Sequence, residues 1–265
     1  MIVAAVTAAL FACLSALVAA HAGPLLRVDE AISSAALRLA LGHPGWRAFA
    51  LAITTTGGPT PVTVATVAAV ALLVVVGRRR DAVFVAVCMA GSTAVRLLVL
   101  NVIARPRPAD RLAPAAGFSF PSGHTTGSAA AALTALAVLW PLLRGRRREI
   151  VAGALLLWAA TVGVSRVALV VHWPTDVLGG WLLATTVVLA AFTILRRPGR
   201  VSEPPAGQIH EPDGCDHRSG GEGGDEQDAD WPPAGELGGQ IDQRLDPAHD
   251  DPSVDPQVLG DPPPP

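Results

Sequence analysis

Two histidines and an aspartate at the ends of apolar stretches are the residues of this chain best suited to chemistry. His124 follows Pro121-Ser122-Gly123, and Asp176 lies four positions after His172. A carboxylate at that spacing can accept a hydrogen bond from one imidazole nitrogen, which fixes the tautomer and leaves the other nitrogen free as a nucleophile or base. Ionisable groups beside apolar segments are costly unless they are compensated, so this placement indicates a functional site.

The tetrapeptide that ends at His124 is typical of an anion-binding helix start. Ser122 is a predicted N-cap, and the helix after it would present free backbone N–H groups. Such a helix N-terminus binds phosphate, while Gly123 allows close approach of the backbone and the Ser122 hydroxyl adds a donor. An ordinary capped helix with an interfacial histidine explains the tetrapeptide alone equally well.

Three arginines add fixed positive charge near these residues. Arg105 and Arg107 precede the tetrapeptide, and Arg166 lies six positions before His172. Guanidinium groups carry planar donors that match phosphate oxygens. The alternatives are binding of lipid headgroups by the two loop arginines and snorkelling of Arg166 to the membrane interface. Together with the histidines, the arginines favour a phosphate-binding site.

The elements that would position these residues are membrane helices. The 265-residue chain is 51% hydrophobic and only 16% charged, which is typical of an integral membrane protein. We predict an all-α, polytopic bundle of about six transmembrane helices, over residues 2–20, 61–77, 82–104, 122–143, 150–171 and 175–195. The first segment could be a cleaved signal peptide, but it lacks a basic n-region, and we favour a retained span. Residues 25–41 have the apolar spacing of an interfacial helix.

Arginine clusters predict the orientation of this bundle. The clusters at residues 78–80, 144–148 and 196–200 follow the second, fourth and sixth segments, so they share one side of the membrane. The positive-inside rule makes that side cytoplasmic. All the candidate site residues then lie on the extracytoplasmic face of a multi-pass protein of the cell membrane.

The charge distribution divides the chain near residue 200. Residues 1–200 hold 18 arginines and six acids, whereas residues 201–265 hold two arginines and 16 acids among many prolines and glycines. We therefore expect a membrane domain over 1–200 and a disordered, acidic, cytoplasmic tail over 201–265. Cys13, Cys88 and Cys215 are too scattered to indicate a disulfide framework or a zinc site.

The order and spacing of these motifs resemble a known family. They are Arg107-Pro108, Pro121-Ser122-Gly123-His124, and Ser165-Arg166 followed after five residues by His172 and after three more by Asp176. The pattern is similar to the three-part signature of the type 2 phosphatidic acid phosphatase superfamily, over roughly residues 20–197. That superfamily includes lipid phosphate phosphatases, bacterial undecaprenyl pyrophosphate phosphatases and, more distantly, vanadium haloperoxidases.

The resemblance implies a role for each matching residue. His172 would attack phosphorus and form a phosphohistidine, with Asp176 orienting its ring, and His124 would protonate the leaving oxygen and then activate water. Arg107, Arg166, Ser122 and Gly123 would hold the phosphate oxygens. The implied substrate is a lipid phosphate or diphosphate: polyprenyl diphosphate first, then phosphatidic acid or phosphatidylglycerol phosphate. The implied reaction uses no metal or other cofactor. Membrane lipids are the expected surroundings, nucleic acid is not an expected partner, and a homo-oligomer is compatible with the sequence.

One position departs from the family pattern. The family's first motif begins with a Lys seven residues before the arginine, and here that position is Leu100. Arg105 could supply the missing charge from the loop. Arg96, one turn earlier on the same face, is disfavoured because helical side chains point back toward the N-terminus. The third interpretation is a weak or inactive member of the family that binds or transports phospholipid. An oxidising vanadate enzyme is disfavoured by the membrane segments and the short connecting loops.

Overall fold

The computed structural model of the protein describes residues 2–195, and within them it contains eight helices and no strand. The helices are α1 (Ile2–Ala19), α2 (Gly23–Gly42), α3 (Pro44–Thr56), α4 (Pro59–Val75), α5 (Arg79–Ile103), α6 (Gly123–Leu139), α7 (Arg146–Ala168) and α8 (Pro174–Leu195). The predicted all-α fold is confirmed. The predicted disordered tail and the arginine cluster at 196–200 lie outside the described residues.

Proline and a left-handed residue mark several of the helix boundaries. α3, α4 and α8 each begin with a proline, whose fixed φ and missing N–H suit the first helical position. α5 ends where Ala104 adopts a left-handed conformation, with φ of 50°, and its N–H donates to the carbonyl of Leu100. The chain then leaves α5 through Arg105–Pro108, which has no regular secondary structure. The loop that follows contacts the end of α7, where the N–H of Leu112 donates to the carbonyl of Leu169.

Five segments are long and apolar enough to cross a membrane: Ile2–Ala19, Pro44–Val75, Arg79–Ile103, Arg146–Ala168 and Pro174–Leu195. Each of the six predicted segments corresponds to a helix. The difference in number arises at α6, whose 17 residues are fewer than those of any of these five segments. The predicted interfacial helix at 25–41 corresponds to α2. α3 was not predicted as a helix, because its mixed sequence ends in three threonines and two glycines, which read as a break.

α6 forms the centre of the bundle and packs against α4, α5, α7 and α8. Its buried residues are mostly small: Thr125, Thr126, Ser128, Ala129, Ala130, Ala132, Thr134 and Val138. Small side chains let neighbouring backbones approach closely, which is how helices associate within a membrane. α8 also packs closely against α6 through a small residue, Gly180. A Cβ on Gly180 would lie 2.9 Å from Cβ of Thr125 and 3.1 Å from the carbonyl oxygen of Ser122.

The motif residues and the basic clusters lie at opposite ends of the bundle. At one end, Arg78 donates to the carbonyl of Val138, which joins the start of α5 to the end of α6. At the other end, Arg96 in the second half of α5 donates to the carbonyl of Pro121, just before α6 begins. α5 and α6 are therefore antiparallel, and the start of α6 lies at the end of the bundle away from the arginine clusters at 78–80 and 144–148.

Candidate active site

His172 is held between a carboxylate and a guanidinium. Its Nδ1 lies 3.3 Å from Oδ2 of Asp176, and its Nε2 lies 2.9 Å from Nη1 of Arg107. A guanidinium has donors only, so Nε2 must be the acceptor and carries no proton. Nδ1 then carries the proton and donates a hydrogen bond to Asp176. This arrangement fixes a neutral imidazole with the lone pair of Nε2 directed toward Arg107.

The electrostatic setting of His172 favours the same protonation state. Its side chain is 2% exposed, and burial lowers the pKa of His172 from 6.5 to about 4, with Asp176 opposing the shift. Desolvation penalises the charged imidazolium more than the carboxylate stabilises it. The ring is therefore neutral at physiological pH, which is the form that can act as a nucleophile.

A buried network of hydrogen bonds and ion pairs, on the side away from the cavity, fixes the position of Asp176. Its Oδ1 pairs with Nη1 of Arg105 at 2.8 Å, and Nη2 of Arg105 pairs with Oδ2 of Asp29 at 2.7 Å. The same Nη1 donates to the Thr175 hydroxyl, which in turn donates to Asp29. The backbone N–H of Trp173 donates to Oδ2 of Asp176. Asp29, on α2, thus helps to fix the start of α8, where Asp176 lies.

The contacts of Arg105 differ from the phosphate-binding role expected for it. Both of its terminal nitrogens are engaged by the carboxylates of Asp29 and Asp176, and the residue is 5% exposed. Its guanidinium also lies 5.5 Å from the ring centre of Trp173. A cation neutralised in this way has little charge left to offer an anion. These contacts favour a positioning role for Arg105.

The start of α6 presents Gly123 and His124 but conceals Ser122. Ser122 occupies the N-cap position, yet its side chain makes no capping hydrogen bond and is fully buried. Its Oγ accepts a hydrogen bond from the Thr125 hydroxyl, and its N–H donates to the carbonyl of Asp176. Ser122 therefore ties the start of α6 to the start of α8. The donor expected from its hydroxyl lies behind the cavity wall.

A cavity of about 710 Å³ lies in front of these residues. Its polar end is formed by Arg96, Arg107, Gly123, His124, Arg166 and His172, so it brings together five of the eight predicted site residues. The other three, Arg105, Ser122 and Asp176, lie behind them. The remaining walls come largely from α4 and α5, through apolar residues such as Val62, Val67 and Leu97.

Arg166 carries a buried charge with an unused donor. It is 4% exposed, and its Nη1 donates to the Thr54 hydroxyl at 2.6 Å. Its Nε is buried and has no hydrogen-bond partner. Among residues 2–195, the ion pairs found involve neither Arg166 nor Arg107 nor Arg96. A buried guanidinium with an unsatisfied N–H beside a cavity is the setting in which an anion would be stabilising.

Sequence reasoning did not identify Asp29 and Thr54 as part of this site, and it disfavoured Arg96. Asp29 was an ordinary charge in a predicted interfacial helix, and Thr54 was part of a presumed break. One signal was available. Residues 1–200 contain only six acids for 18 arginines, so each acid is a candidate partner for a buried arginine.

The segment that carries the three motifs is similar to a known protein family. The family model of the PAP2 superfamily matches residues 81–200, which include all three motifs. The expected resemblance is thereby confirmed, although the matched segment begins at α5 rather than near residue 20. The PAP2 segment thus comprises α5 to α8, which carry every predicted site residue either within the helices or in the loops between them.

Individual relatives cover different parts of the chain. The phosphatidylglycerophosphatase B proteins of Escherichia coli K12 and of Shigella flexneri are each 40% identical to it over 95 residues, which are 36% of this chain and 36% of theirs. The aligned part of the chain thus spans about a third of the length of these curated relatives. A crystal structure described as a transmembrane PAP2 type phosphatidylglycerolphosphate phosphatase from Bacillus subtilis matches with a TM-score of 0.68 and 26% identity. That match covers 76% of this chain and all of the other.

Proposed function

We propose that this protein is an integral membrane phosphatase that hydrolyses a lipid phosphate. Its PAP2 segment and its relatives, which are named as phosphatidylglycerophosphatases, support this class of activity. Those names make phosphatidylglycerol phosphate the first substrate to test. Polyprenyl diphosphate, which the sequence placed first, and phosphatidic acid become the comparison substrates.

The observation that carries the proposal is the pairing of His172 with Asp176 and Arg107 at the wall of a cationic cavity. Nε2 of His172 has its lone pair directed at Arg107, whose charge is not neutralised by an ion pair within the described residues. A phosphate group in the cavity in front of them would accept hydrogen bonds from Arg107 and Arg166. It would take the place of Nε2 as an acceptor for Arg107, which frees the lone pair of Nε2 to attack phosphorus. Phosphoryl transfer depends mainly on such positioning and charge stabilisation.

The reaction would proceed in two steps. In the first, Nε2 of His172 attacks phosphorus, an N–P bond forms, and the bond from phosphorus to the lipid oxygen breaks. His124 donates a proton to that oxygen, in the imidazolium form that the negative charge of the bound phosphate would stabilise. In the second step His124 takes a proton from water, the hydroxide attacks phosphorus, the N–P bond breaks, and inorganic phosphate leaves. Asp176 stabilises the positive charge that develops on the His172 ring.

The apolar walls of the cavity suit a lipid substrate. The phosphate end is cationic, whereas the sides formed by α4 and α5 carry Val62, Val67, Met89 and Leu97. Burial of acyl methylene groups contributes about 0.8 kcal/mol each, so these walls could hold part of a chain while the headgroup reaches His172. A small soluble phosphate ester would use only the polar end.

The test is phosphate release by the purified, full-length protein in detergent with a metal chelator present. Phosphatidylglycerol phosphate, phosphatidic acid and undecaprenyl diphosphate are assayed in parallel, with His172→Ala as the blank. We expect release well above the blank from at least one of them, fastest from phosphatidylglycerol phosphate. No release from any of them by folded protein would contradict the proposal. Binding of the same lipids without turnover would then support the alternative, a non-catalytic phospholipid-binding or transport protein.

A further inference from the structure

Arg96 is the one cationic side chain at the polar end of the cavity to which the family pattern assigns no role. It lies on α5, and its Nε donates to the carbonyl of Pro121 at 3.3 Å. A Cβ placed on Gly123 would lie only 2.8 Å from Cζ of Arg96 and 3.0 Å from its Nη2. The guanidinium is therefore packed flat against the first residue of α6, beside the free N–H groups of that helix start.

We propose that Arg96 is a third phosphate-binding arginine, acting with Arg107 and Arg166 on the same oxygens. This inference rests on the proposed function, since it concerns the same cavity. Arg96 is half-buried and lines the cavity. Its only hydrogen bond among the described residues uses Nε, which leaves both terminal nitrogens as donors for a ligand. The ligand class is a phosphomonoester or its inorganic analogues, phosphate and vanadate.

The position of α6 explains how a residue so far from the end of α5 reaches the site. α5 continues for seven residues past Arg96 to Ile103, which is about 10 Å of helix. The contacts of Arg96 with Pro121 and Gly123 nevertheless place its guanidinium beside the N-terminus of α6. Arg96 therefore reaches the anion site without extending to the end of α5, which removes the reason for disfavouring it.

The same geometry accounts for Leu100. The family places a lysine at that position, whereas here Arg96, one helical turn earlier on the same face, already brings a guanidinium to the anion site. The positive charge thus comes from one helical turn before the position of the family's lysine, and Gly123, which has no Cβ, provides the space for it. The site keeps three arginines without the lysine.

The experiment compares Arg96→Leu with the double variant Arg96→Leu/Leu100→Lys, using phosphate release and vanadate inhibition as readouts. Loss of one charge–phosphate contact is expected to reduce kcat/KM by about ten- to a hundredfold and to weaken vanadate inhibition by a similar factor. The double variant should recover at least tenfold in both. Arg80→Leu, which removes an exposed arginine from the other end of α5, is the matched control and should behave as the wild-type protein.

Wild-type kcat/KM and vanadate inhibition in Arg96→Leu would overturn the inference. If Arg96→Leu fails to fold, Arg96→Gln, which keeps a donor but removes the charge, gives the same test. If the wild-type protein releases no phosphate from any lipid, the proposed function fails first. Arg96 is then tested by direct binding of inorganic phosphate or vanadate to the wild-type and Arg96→Leu proteins. Equal affinities would reject the inference by itself.

Discussion

Single residues at this site divide into those that face the cavity and those that hold them from behind. His172 and Arg107 face the cavity, whereas Asp176, Arg105 and Asp29 form a buried chain of alternating charge. Motif spacing alone indicated which residue types are present. It could not separate the two groups, because only the fold brings Asp29 of α2 against Arg105.

The buried chain of charge makes a prediction about Asp29. Asp29→Asn leaves Arg105 with one carboxylate partner, and breaking a buried pair costs about 3–5 kcal/mol. We expect a clear fall in the thermal unfolding temperature of the detergent-solubilised protein. Loss of activity should be smaller than for Asp176→Asn, which acts directly on His172.

A double-mutant cycle tests whether the Asp29 effect comes from this pair. Asp29→Asn/Arg105→Gln should lose less stability than the two single variants combined, because the double variant leaves no unpaired charge at position 29 or 105 and only the loss of Arg105 from Asp176 remains. Additive losses would show that Asp29 stabilises the protein through other contacts.

The pKa of His172 leads to a prediction about pH. With the pKa lowered to about 4, the ring is about 90% neutral at pH 5, whereas a histidine of ordinary pKa 6.5 is about 3% neutral there. Diethyl pyrocarbonate reacts with neutral imidazole only. Modification of His172, followed by peptide mass spectrometry after correction for reagent hydrolysis, should proceed at nearly the same rate at pH 5 and pH 7. A fall of about 20-fold at pH 5 would show an ordinary pKa.

Packing between helices sets the position of the proposed catalytic groups. α6 supplies His124 and α8 begins just after His172, and Gly180 keeps the two helices in close contact. By helix propensity alone, Gly→Ala is stabilising by about 1 kcal/mol. At Gly180, however, the added methyl group would overlap Thr125 and push the start of α6 away from α8.

Gly180→Ala is therefore expected to lower kcat at least tenfold and to lower the unfolding temperature. Gly153→Ala is the matched control, since Gly153 is also inside a helix but has open space around it. That variant should keep wild-type activity and equal or greater stability. Equal behaviour of the two variants would show that the α6–α8 contact does not position the site.

The helices could be predicted from sequence where each helix carries a clear signal within its own residues. Apolar length identified α1, α4, α5, α7 and α8, and the motif at Ser122 identified the start of α6. α3 was missed because its threonines and glycines resemble a break, yet Thr54 from this helix binds Arg166. The position of Arg96 was also unpredictable, since it depends on how far the loop before α6 returns along α5.

For the whole molecule, the arginine clusters predict that the cavity faces the extracytoplasmic side of the membrane. In a background without native cysteines, Asp110→Cys, exposed in the loop beside the site, should react with a membrane-impermeant maleimide in intact cells. Arg147→Cys, exposed at the other end of the bundle, should react only after permeabilisation. The reverse pattern would place the active site in the cytoplasm.

The central claim is that His172 carries the phosphoryl group during turnover. The most direct measurement is an alkaline quench of the wild-type protein with a lipid substrate labelled in its phosphate, followed by mapping of the label. A phosphohistidine is stable in base and labile in acid, so we predict acid-labile label on the peptide that contains His172 and none in His172→Ala. Turnover by His172→Ala at the wild-type rate, or label on another residue, would contradict the account.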